Sequence, residues 1–144
     1  MNSLKLLKLK PKSQEHAMGC GLACVAFLTG KSYRHVLRQV DNPAYAWTRG
    51  FYCPELVALL AGFNLHYTWR KVKSSEIIES FPNGAILFIK PGVKYPNGHF
   101  VVKVAARRYM NPWSNFPSIR NVKASFQSRI DGVSYAVLPE ACTD

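Results

Sequence analysis

The sequence predicts an α+β domain, with helices in its N-terminal half and an antiparallel sheet in its C-terminal half. Three observations predict it. Residues 20–28 are apolar on every face and run into Gly30, the pattern of a buried central helix with a glycine stop. Residues 54–62 open on Pro54 and close on Gly62, the proline-first, glycine-last asymmetry of another helix. Beyond residue 65 the apolar spacing shifts to alternation and short continuous runs, which suit strands. Helices first and strands second is the order of a segregated α+β chain.

Taken in order, the first twelve residues interleave Lys5, Lys8, Lys10 and Lys12 with leucines and read as a short strand or a surface-lying arm. After the central helix, Ser32 opens a helix over 32–40, with Tyr33, Val36, Leu37 and Val40 on one face. Asp41, Asn42 and Pro43 break it. Residues 65–70 alternate like an edge strand, 74–81 read as a short capped helix, and 85–89 as a buried strand. Residues 90–98, rich in Lys, Pro and Gly, form a loop. Strands follow over 99–105 and 109–113, with a turn at Arg107 and Arg108 between them. A helix is expected over 122–130 and a last strand over 133–138. No repeat, low-complexity tract or linker interrupts the chain, so residues 1–144 are expected to form a single domain.

At 144 residues and 48% hydrophobic content, the chain can bury a core without disulfides. No apolar run approaches the roughly 20 residues of a membrane span. The N-terminus has no uninterrupted apolar core and no small-residue cleavage site, so no signal peptide is expected. Cys20, Cys24, Cys53 and Cys142 form no CxxC pair. Reduced thiols in a cytoplasmic setting follow from that, with delivery as an effector or toxin as the alternative. A metal site from Cys20, Cys24, His16 and His99 is conceivable, but zinc ligands normally come in close pairs. No metal or cofactor is expected. The net charge of +11 favours an acidic partner. Its basic residues are scattered and carry no nucleic-acid signature, so a nucleic-acid partner is disfavoured. The plain alternative is a solvated basic surface. Nothing in the sequence indicates an oligomeric state.

Four residues carry the chemistry: Gln14, Cys20, His99 and Asn111. A thiol is a useful nucleophile only as thiolate, and a helix N-terminus carries about half a positive charge with unpaired amide protons. Cys20 stands at such a start, and Gly19 and Gly21 leave room for a substrate backbone. His99, at a strand start, would complete an imidazolium–thiolate pair and later protonate the leaving amine. Asn111, on the next strand, would hold the imidazole in one tautomer, in preference to Asn115 or Asp131. Gln14 would donate its amide toward the developing oxyanion beside the Cys20 N–H. Cys24 and Cys142 read as small buried hydrophobes, and His16, His35 and His66 as structural or surface residues. Lys90 and Lys94 on the loop leading to His99, with Arg70, Lys71 and Lys73, are expected to steer an acidic substrate.

These residues form the constellation of a papain-like cysteine hydrolase. The stretch from Gln14 through Cys20 to Gly30, with Gly98, His99 and the strand after them, resembles the bacteriocin-processing cysteine peptidases. Those are papain-like domains that cleave leader peptides after a double glycine, often at the front of peptide-exporting transporters. The resemblance spans almost the whole chain. It implies Cys20 as nucleophile, His99 as general base and acid, and Gln14 as oxyanion donor. Three departures stand against it. Gly19 replaces the family's usual aspartate before the cysteine. Asn111 before Pro112 replaces its aspartate before proline. Neither membrane spans nor a GxxxxGK[ST] phosphate loop accompany the domain here. The expected function is therefore hydrolysis of an amide, a peptide bond first, with the double-glycine substrate not carried over. A glutamine deamidase using the same site is the alternative, as is an idle relative that binds peptides or anions.

Overall fold

The computed structural model describes residues 3–140. Its helices are α1 (Ser3–Leu7), α2 (Cys20–Thr29), α3 (Tyr33–Leu37) and α4 (Cys53–Gly62). Its strands are β1 (Tyr67–Lys71), β2 (Ile86–Ile89), β3 (His99–Ala105), β4 (Arg108–Asn111), β5 (Ser125–Gln127) and β6 (Val133–Pro139). The strands make one six-stranded antiparallel sheet in the order β1-β6-β2-β3-β4-β5. The coarse class is α+β.

Helix α2 is the centre of the fold. From Gly21 to Leu28 every residue is buried, so this helix has no wet face. Gly30 ends it in the left-handed region, at φ 72°. Leu22, Val25 and Phe27 share a core with Leu56 and Leu60 of α4 and with Phe100, Val102 and Val104 of β3. On the opposite face of the sheet a smaller core gathers Phe81, Leu87, Val101, Tyr109, Ile130 and Ala136. None of the helices is long and apolar enough to cross a membrane, among the described residues.

Four local expectations need correcting. The N-terminal segment is neither strand nor loose arm: Ser3–Leu7 forms a helical turn that packs on β3, with Leu6 fully buried. Helix α3 stops at Leu37, well short of residue 40, though Ser32 does cap it by accepting from the His35 N–H. Residues 74–81 make only a 3₁₀ turn over Ile78–Ser80. Residues 122–130 hold no helix: Ser125–Gln127 is a strand paired with β4. Phe126 packs edge-on against Phe27 with the Arg108 guanidinium 3.8 Å over its ring. Tertiary packing and an open ladder edge outweigh helix propensity there.

The β2–β3 hairpin sets the site. Ile89 pairs with His99 and Phe88 with Phe100, so residues 90–98 close the hairpin and deliver His99 at the strand start. Gly98 has φ 78°, and a Cβ there would collide with the Phe88 ring. Only glycine fits both the turn and the close approach.

Candidate active site

Cys20 is the first residue of α2, half-buried, with its sulfur accepting the Phe100 N–H at 3.5 Å. His99, the neighbour of Phe100, lines the same cleft. The thiol and the imidazole thus line one cleft from opposite layers, with no hydrogen bond between them among the described residues. The cleft, about 120 Å³, is bounded by Met18, Gly50 and Phe51 on the helical side and by Tyr95, Trp113 and Phe116 on the sheet side. That is small for a drug-sized ligand pocket and suits a stretch of extended backbone. It shares Phe51, Tyr52, Phe88 and Phe100 with an apolar groove of about 390 Å³ running over Trp69 and Tyr135.

Asn111, fully buried at the end of β4, is the centre of a saturated hydrogen-bond cluster. Its Oδ1 lies 2.7 Å from His99 Nε2 and also accepts the Trp113 N–H at 2.9 Å. Its Nδ2 donates to Tyr95 Oη and to Gln127 Oε1, each at 2.9 Å. An amide has two donors and two acceptor sites, and all four are used. The Trp113 N–H can only donate, so oxygen must face it, which fixes the amide orientation. His99 Nε2 must then carry a proton, leaving Nδ1 as the bare nitrogen available to the thiol. Tyr95 adds a second restraint: its ring stacks on His99 at 4.1 Å and 9°. Neither Asn115 nor Asp131 bonds to the ring; Asn115 instead ties to Asn121 O and Lys123 N.

Gln14 is placed differently from expectation. It is 2% exposed, and its Nε2 donates to His16 O at 3.0 Å and Ala17 O at 3.2 Å. Both amide hydrogens brace the loop before Cys20, and Oε1 is buried without a partner. As an oxyanion donor it would first have to turn. Gly19 also has a local cause. A Cβ there would collide with the Tyr33 hydroxyl, which itself bonds His16 Nδ1 at 3.0 Å. A larger residue here would have to displace the Tyr33 hydroxyl and its bond to His16.

Burial works against the expected ion pair. Burial pushes the Cys20 thiol up to about 11, against the Phe100, Gly21 and Cys20 N–H groups that favour thiolate. Burial likewise takes His99 from 6.5 down to about 4, opposed by the Asn111 bond and assisted by the positive charge of Lys94. Both shifts favour the neutral thiol and the neutral imidazole over the ion pair.

Burying His99 neutral has a consequence for stability. The native state binds its proton below pH 6.5 less readily than the unfolded chain, so stability falls as pH drops from about 6.5 to about 4 and then levels. The loss should be about 3 kcal/mol. Urea unfolding at pH 7, 5.5 and 4 should show this slope for the native sequence and a flatter one for His99→Gln. Parallel slopes would mean His99 titrates normally.

Cys24 lies fully buried in the core and His16 is bonded to Tyr33, so neither joins Cys20. No group of three or more His, Cys, Asp or Glu side chains is poised to hold a metal ion, among the described residues. Cys142 lies outside the described residues. Sequence reasoning missed Tyr95 and Gln127. Tyr95, four residues before His99, had a detectable cue in its proximity, whereas Gln127 sat inside the segment misread as helix. No known family model matches this chain, and no curated protein matches it.

Proposed function

We propose that this chain is a papain-like cysteine hydrolase, of the general plan of the bacteriocin-processing peptidases, that cleaves an amide bond in a peptide through Cys20, His99 and Asn111. The observation that carries this reading is the Asn111 cluster: it occupies His99 Nε2 and so leaves Nδ1 as the unprotonated nitrogen of a ring that lines the same cleft as Cys20. A structural histidine has no need of so complete a restraint on its tautomer.

The thiol proton passes to His99 Nδ1 as Sγ attacks the substrate carbonyl carbon. The oxyanion is met by the Cys20 N–H at the start of α2. The imidazolium, held through Nε2 by Asn111, gives its proton to the amide nitrogen, the C–N bond breaks and the amine leaves. Water then loses a proton to His99 and attacks the thioester. Sγ departs, retakes a proton, and the carboxylate is released. With both shifts favouring the neutral pair, thiolate forms as the carbonyl accepts it.

A second reading, an idle relative that binds peptides, draws on the raised Cys20 thiol and the occupied Gln14 amide. Alkylation separates the two. Iodoacetamide should modify Cys20 faster than the buried Cys24 and Cys53, with a rate rising toward pH 11. His99→Ala should slow the neutral-pH rate by about tenfold or more, through loss of the base. An identical pH–rate profile in the variant would mean that the ring does not assist the thiol, and the idle reading would stand.

A further inference from the structure

The sheet-side loops beside the cleft, its rim, are strongly basic, with the exposed Asp131 lying between Arg129 and Gly132. Between Glu79 and Asp131 the chain has no acidic residue. Five exposed cations, Lys90, Lys94, Arg120, Lys123 and Arg129, stand on the segments over 90–98 and 112–132, which border the cleft through Tyr95, Trp113 and Phe116. Their convergence is fixed by hydrogen bonds. Tyr95 Oη donates to Trp113 O and the Tyr95 ring packs on Phe116, joining the 90–98 loop to the 112–124 loop. Ser114 N donates to Lys123 O, Gln127 Nε2 donates to Arg129 O, and Lys90 N donates to Gly132 O. Lys94 Nζ is 5.4 Å from the Tyr95 ring that stacks on His99. Elsewhere the acids offset nearby bases: Glu15 pairs with Arg34, Glu55 with Arg49 and Glu76 with Arg70. Arg70, expected to join the basic approach, is thus neutralised, and the five rim cations make none of those pairs.

Which half of a substrate meets this rim follows from the chemistry. His99 must protonate the leaving amine, so the chain beyond the broken bond lies on the His99, Trp113 and Phe116 side. We propose that this rim is the docking surface for an acidic segment, aspartates or glutamates, on the C-terminal side of the scissile bond of a peptide substrate. The assignment of side rests on the hydrolase reading; the capture of an acidic peptide does not. Val93 and Ile119, exposed among these cations, do not redirect the choice, because the cations flank a cleft built for backbone rather than a flat apolar face.

Two measurements test it. In the first, Cys20 is alkylated with iodoacetate and with iodoacetamide, and the rate ratio is compared with that of free cysteine. The ratio cancels the thiolate fraction. It should exceed the free-cysteine ratio by about fivefold at low salt, from a local potential of about 1.6 kT, and collapse toward it at 1 M NaCl. The double variant Lys94→Glu, Lys123→Glu should abolish the excess, while Lys31→Glu, Arg38→Glu on the α3 side should keep it. In the second, fluorescein-labelled hexaglutamate should bind, and the rim variant should weaken that binding by about tenfold. A free-cysteine ratio together with hexaglutamate binding unchanged in the rim variant overturns the proposal. Stronger capture of decathymidylate, or of phosphatidylserine vesicles, overturns it in favour of nucleic acid or membrane. Rim-dependent hexaglutamate binding by a protein that cleaves no peptide would keep the surface and sink the hydrolase reading.

Discussion

Replacing Asn111 by alanine is expected to lower turnover by up to about ten-thousandfold, the size of the loss when a triad histidine is left in the wrong tautomer. The cause is specific. Without Oδ1, nothing keeps the proton on His99 Nε2, and a ring protonated at Nδ1 cannot accept the thiol proton. The same change weakens the fold, because Asn111 is fully buried and serves four partners. The Trp113 N–H would be left without an acceptor, at a cost of about 1–3 kcal/mol. Asn111→Asp separates the two effects. A carboxylate still accepts from His99 and Trp113, but it cannot donate to Tyr95 Oη or Gln127 Oε1. Turnover should stay within about tenfold of the native protein, while the melting temperature falls and His99 gains a higher pKa from the added negative charge. Turnover and thermal unfolding measured on both variants check this. An alanine variant with native turnover would remove Asn111 from the mechanism.

Much of the framework could be read from local chemistry. Helix α2 announces itself by being apolar all round and by Gly30, and α4 by Pro54 and Gly62. Strands β2, β3 and β6 are short apolar runs bounded by turns. The spacing of Cys20, His99 and Asn111 was likewise legible, because each sits at the end of an element whose boundary has a cue. What escaped was tertiary in origin. Strand β5 exists because β4 offers an open edge and because Phe126 fills a gap against Phe27, neither of which the local sequence records. Leu6 winds the N-terminal segment into a helix by burying itself on the core. The donors of Gln14 are spent on His16 O and Ala17 O through a loop conformation with no signature. The state of the Cys20–His99 pair escaped for a related reason. Helix-terminus charge is visible in a sequence, whereas burial, which here outweighs it, is not.

The largest effect belongs to Cys20 itself. Every step proposed for the reaction passes through Sγ, so Cys20→Ala should leave the fold intact, since the side chain is small and half-buried, and remove essentially all hydrolysis. Loss of a nucleophile in a comparable triad costs on the order of a millionfold. The direct measurement is digestion of a complex peptide library, with new termini identified by mass spectrometry, by the native protein and by Cys20→Ala in parallel. The account predicts new termini from the native protein, enriched in acidic residues after the cut, and none above background from Cys20→Ala. The same cuts from both proteins, or an intact library after prolonged incubation with folded native protein, would contradict it.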